Sequence, residues 1–224
     1  MPVAPAYTLT TMNDTDLTTG GSFQRYDSAG ANDDAARDER HVIRTYLSDM
    51  LALERHIGQP LRRQLDMDDS AKYEQAAGIM AAIKSTSDAH VSMLEEGLKK
   101  AGGDAASPVK GVLSAILGAG AAAIGSARKS KVSKNLRDDQ VALSLATISY
   151  TMLHATALGL GDAATAQLAQ RHLEEYTPLV MQISKAMPSV VLQELADDGE
   201  NVQVTAAQLA EGDTRKAWQA PADG

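Results

Sequence analysis

Apolar residues recur at steps of three and four over four long stretches of this chain, the period of α-helices with a buried stripe. The first runs from about Asp34 to Leu65, with Val42, Tyr46, Met50, Leu53 and Ile57 on one stripe. Glu54 lies beside it, in line with Leu47, Leu51 and Leu61. Pro60 removes a backbone donor and is expected to kink or break this helix. The second runs from about Asp69 to Lys100, with Ala76, Ile79, Ile83, Ser87, His90, Leu94 and Leu98 on its stripe. His90 stands in the middle of that stripe, and Ala101-Gly102-Gly103 stops the helix. The third, about Asp138 to Leu160, is apolar nearly all round and is expected to be the most buried. His154 shares a row there with Thr147, Thr151 and Leu158. The fourth runs from about Asp162 to Met187, with Leu168, His172, Glu175, Leu179 and Ile183 in one row. Pro178 falls inside it and Pro188 is read as its end. A short helix over Ser189–Leu195 and a helical turn at Thr205–Glu211 follow.

Between these stretches the pattern changes. Residues 1–34 are rich in Thr, Asp, Gly and Ser without helical periodicity and read as a flexible arm, with Tyr7 to Thr11 able to add a strand to a partner's edge. Residues 104–136 form an unusual connection. Ser107-Pro108 is a helix start, and Gly111 to Ala127 carries no charge. Gly111, Ala115, Ala119, Ala123 and Ala127 make one face smooth; Leu113, Ile116, Leu117 and Ile124 make the other bulky. Arg128, Lys129, Lys131, Lys134 and Arg137 follow without an acid. The run is short for a membrane span. With its basic tail it suits either packing on its own bundle or weak contact of 111–137 with an anionic membrane surface or a partner. The organisation is therefore an arm (1–34), a bundle with its inserted segment (35–196, insertion 104–136) and an acidic tail (197–224).

Composition agrees with helices. Aromatic residues make up 4% of the 224 residues, too few for a typical β-sandwich. There is no cysteine, so disulfides and thiolate metal sites are excluded. The net charge of −8 sits in the ends, leaving the middle nearly neutral, which argues against nucleic acid as a partner. No basic-then-apolar leader opens the chain, so a cytoplasmic location is expected. No nucleophile motif, phosphate loop or dinucleotide fingerprint is present, so neither a small-molecule substrate nor an enzyme activity can be assigned.

The candidate chemistry lies on the helical stripes. Glu54, His90, His154, His172 and Glu175 each fall near the middle of a helix on or beside an apolar row. A buried ionisable group is costly unless it is paired or metal-bound. A bundle di-iron site takes one Glu from each of two helices and Glu-x-x-His from each of the other two. Here Ser87 and Thr151 stand where two of those glutamates belong, and His172-x-x-Glu175 has the motif reversed. Three readings stay open: a hydrogen-bonded polar core, a single ion, or a dimetal centre holding Fe, Mn or Zn. His41 and His56 read as surface residues.

Four passages carry a family likeness: TYLSDMLALERHIGQPL, KSTSDAHVSMLEEGLKKAGG, ALSLATISYTMLHATALGLGD and AQRHLEEYTPLVMQI. Over roughly Arg40–Met187 the chain resembles the ferritin-like stress proteins of the YciE/YciF type, with Glu54 at the family's acidic position. The resemblance implies an all-α, ferritin-like four-helix bundle, metal held by bundle carboxylates and a stress-associated role. Ser87, Thr151 and the 104–136 insertion depart from that family. The functional expectation is a stress-associated bundle protein with a modified or vestigial metal site. The alternative is a non-enzymatic protein that self-associates or docks on a surface through its arm and its 111–137 segment.

Overall fold

The computed structural model describes residues 28–66, 72–105, 131–203 and 205–219. They form five helices and, among the described residues, no strand: α1 (Ser28–Leu65), α2 (Glu74–Lys100), α3 (Val132–Gly159), α4 (Ala163–Asp197) and α5 (Ala206–Gln219). The all-α bundle expected from the sequence is what the chain adopts.

Side-chain pairings fix the topology. Gln64 meets Asp139 while Glu54 meets Tyr150, so α1 and α3 run antiparallel. Tyr73 reaches Asp197 and His90 reaches Glu175, so α2 and α4 run antiparallel. Ser133 meets Glu194 while His154 meets the carbonyl of Ala166, so α3 and α4 do the same. Helices α2 and α3 are therefore parallel. The chain must travel the bundle's length between them, about 40 Å at ~1.5 Å per residue of α2. One long crossover of this kind is the connectivity of ferritin-like bundles. The expected helix at 111–127 and the first two bases of the basic segment, Arg128 and Lys129, lie outside the described residues, as does the arm up to residue 27.

The stripe foreseen on α2 is buried at all its positions. On α1 the deepest row is Leu47, Leu51, Glu54 and Leu61, while Val42 is exposed. Gly102 and Gly161 adopt left-handed backbones (φ 77° and 70°) just past α2 and α3. Each lets the next amide turn back onto the helix end: Gly103 N–H onto Leu98 O and Asp162 N–H onto Ala157 O, both 2.8 Å.

Several expectations are corrected. Helix α1 begins at Ser28, inside the expected arm, and continues through Pro60. Helix α3 starts at Val132 rather than Asp138. The buried carboxylate of Glu194 accepts both the backbone N–H of Ser133 (2.9 Å) and its hydroxyl (2.6 Å), capping α3 from another helix. Helix α4 runs through Pro178 and Pro188 to Asp197 and absorbs the separate helix expected at 189–195. A proline removes one backbone bond; the buried positions Ala186, Val190 and Glu194 continue the packing row beyond it. Helix α3 is not the most buried, since Val141, Ile148, Met152 and Leu158 are exposed. By length and composition alone, it is also apolar enough to cross a membrane. The turn expected in the acidic tail is the longer α5, which packs beside α4 with Trp218 exposed.

Candidate functional site

Helix α1 places Glu54 at the bundle axis, fully buried. The other three bundle helices each send it a donor. Tyr150 of α3 donates to Oε1 at 2.6 Å, and Tyr176 of α4 donates to Oε2. Ser87 of α2 lies 2.9 Å from Oε2 and 3.0 Å from the carbonyl of Glu54. His90, also of α2, sets Nδ1 2.9 Å from Oε1. These four hydrogen bonds offset the cost of burying the carboxyl group. Burial first, and the Glu54 charge second, push both tyrosine hydroxyls well above their usual range, so Tyr150 and Tyr176 stay neutral donors.

His90 links this core to the surface. Its Nε2 lies 2.8 Å from Oε2 of Glu175, whose side chain is 44% exposed. Both ring nitrogens thus face carboxylate oxygens, one in the core and one at the rim. His172 stacks on this ring, with centroids 3.7 Å apart and planes 9° from parallel, and Tyr150 meets it edge-on at 4.9 Å. Both nitrogens of His172 are buried without a hydrogen-bond partner among the described residues. Burial, then the neighbouring His90 and Arg171, push its pKa down to about 3, so the ring is neutral and a metal-competent base.

Ligand atoms of Glu54, His90 and His172 all lie within 4.8 Å of one another, so this group could hold a metal ion. Nitrogen and carboxylate donors suit Zn, Fe or Mn in kind. Nearly parallel rings 3.7 Å apart keep their in-plane lone pairs in two separate planes, so binding one ion requires His172 to turn and His90 to release a carboxylate. Tyrosine and serine hydroxyls meet Glu54 where a dimetal centre has further carboxylates. The residues therefore fit one ion better than two.

Of the five expected site residues, Glu54, His90, His172 and Glu175 come together, with Glu175 at the exposed rim. His154 stands apart. It is half-buried near the α3–α4 turn, with Nδ1 2.9 Å from the carbonyl of Ala166. The inward row of α3 is Leu143, Ala146, Tyr150, Leu153 and Ala157, one position off the row containing His154. Tyr150 and Tyr176 were not expected in the site. Their spacing offered a signal, since Tyr176 follows His172 by four residues and Tyr150 precedes His154 by four.

No family model matches the chain, and no curated protein matches it. Among solved structures it is similar to a protein from Xanthomonas campestris pv. campestris, at a TM-score of 0.59 and 14% identity, covering 72% of this chain and 99% of that one. At that identity the likeness concerns the fold alone.

Proposed function

We propose that this chain is a ferritin-like bundle protein, of the stress-associated YciE/YciF kind that its sequence resembles, whose core holds a single transition-metal ion through Glu54, His90 and His172. The observation that carries the reading is His172: two ring nitrogens, buried and unpartnered, beside a carboxylate and a second imidazole. Buried polar atoms in folded proteins nearly always have partners. A satisfied polar core accounts for Glu54 and His90 and leaves His172 unexplained; a bound ion accounts for all three. Fe, Mn or Zn would supply Lewis acidity there, and the first two also electron transfer. The chain's own part is to fix Glu54 with two tyrosines and a serine, and to connect His90 to solvent through Glu175.

Calorimetric titration of metal-free protein with Zn²⁺ and Mn²⁺ tests this. One site per chain is expected, lost in His172→Ala and retained in His154→Ala. Absence of binding, or binding that survives His172→Ala, refutes it.

A second reading, self-association, is favoured by a different observation. Val141, Ile148 and Met152 are exposed on one side of α3, at 66%, 57% and 51%. Soluble monomers seldom leave large contiguous apolar patches uncovered. In this reading a second copy of the chain covers the row.

A further inference from the structure

A half-open cleft of ≈ 940 Å³ lies at the other end of the helices from the Gln64–Asp139 pair, between the first half of α1, the end of α2, the α3–α4 turn and the start of α4. That volume is in the range of small-molecule sites. None of Glu54, His90 and His172 lines it, so it is separate from the metal site. Its apolar wall includes Ile43, Met93 and Leu168, one from each of three helices.

The charges around it are unequal in availability. Lys100 is held by Glu96 at 2.7 Å. The carboxylate of Asp162 accepts the backbone N–H (3.0 Å) and the hydroxyl (2.7 Å) of Thr165 as the cap of α4. Arg40 and Arg171 also line the cleft, and neither guanidinium has a carboxylate partner among the described residues. Arg171 makes only a long contact, 3.8 Å, to the sulfur of Met93, which lays it along the apolar wall. Glu39 is the one lining acid without a partner of its own among those described. Two free planar forks beside an aliphatic wall match a ligand with one anionic end and one hydrocarbon end.

We infer that this cleft binds a small aliphatic carboxylate, its chain along Ile43, Met93 and Leu168 and its carboxylate between Arg40 and Arg171. The experiment is calorimetry of the full, metal-free chain with decanoate, with decanol as the uncharged probe of equal length. Decanoate binds one per chain and decanol at least tenfold more weakly. Arg40→Gln and Arg171→Gln each weaken decanoate roughly tenfold, the size of one charge-assisted hydrogen bond. Glu39→Gln strengthens it by removing the neighbouring negative charge. Both arginines are exposed, so circular dichroism should show the variants folded. Equal binding of decanol and decanoate, binding indifferent to both arginine changes, or no binding at millimolar decanoate overturns the inference.

Discussion

His90 lies flat on His172, with ring centroids 3.7 Å apart, yet the two rings are opposites in their bonding. His90 has a carboxylate at each nitrogen, and His172 has no hydrogen-bond partner at either among the described residues. The first anchors the core and the second is available to a ligand. Replacing His172 by Phe keeps a ring of similar shape and deletes the two unpartnered nitrogens. Metal-free H172F is therefore expected to be more stable than the parent, by about 1–3 kcal/mol in urea unfolding. A clear loss of stability would show that His172 is already satisfied without a ligand.

Glu54 is the hub on which four side chains converge. Glu54→Ala leaves two phenol hydroxyls, a serine and a histidine facing an empty space and is expected to cost about 3–5 kcal/mol. Tyr150→Phe and Tyr176→Phe each remove one of several donors and should cost about 1–2 kcal/mol. Denaturant melts of the three variants check the order. An Ala variant no less stable than either Phe variant would contradict the hub.

Asp139 provides a pH signature away from the metal site. Burial raises its carboxyl to about 7, despite a bond from Gln64 at 3.2 Å that opposes the rise. The nearby Asp138 adds to it. An acid that keeps its proton longer when folded makes stability fall as pH climbs between the unfolded and folded values. The penalty is absent below about pH 4, where both states are protonated, and complete above about pH 7. Asp139→Asn removes it. The stability gap between variant and parent should widen by a few kcal/mol from pH 4 to pH 7 and then stay level. A gap that does not change over that range would contradict the buried-acid assignment.

How much of this was legible in the sequence depended on how sharply each helix is amphipathic. Helix α2 alternates cleanly between buried and polar positions, and its buried row, His90 included, is legible in the sequence apart from Met80. Helix α3 is apolar on most sides, so periodicity gave no phase. Its outward residues Val141, Ile148 and Met152 carry the same apolar signal as its core, and Tyr150 rather than His154 faces the site. Tyrosine hides its chemistry in such patterns, because its ring counts as apolar while its hydroxyl supplies the hydrogen bond. Proline misled differently. Pro60 reads as a kink or a break and Pro188 as an end, but one lost backbone bond is small beside the packing that continues on either side. The cap of α3 was invisible for another reason: Glu194 is some sixty residues away in the chain, and no local signal links the two.

The exposed row on α3 makes a prediction of its own. An Ile148→Asp, Met152→Asp double change should leave the melting of the isolated chain within about 0.5 kcal/mol, as expected for surface positions. Under the self-association reading, the same change abolishes the oligomer in sedimentation. A monomeric parent would remove that reading.

In the proposed site, two stacked histidines and one buried glutamate hold a single ion. X-ray absorption on zinc-loaded protein tests it most directly, because imidazole ligands leave their own outer-shell scattering. One zinc per chain is expected, bound directly by two imidazole nitrogens and carboxylate oxygen, with no imidazole signal in His172→Ala. A zinc shell of oxygen alone, or one with a single imidazole, would contradict it.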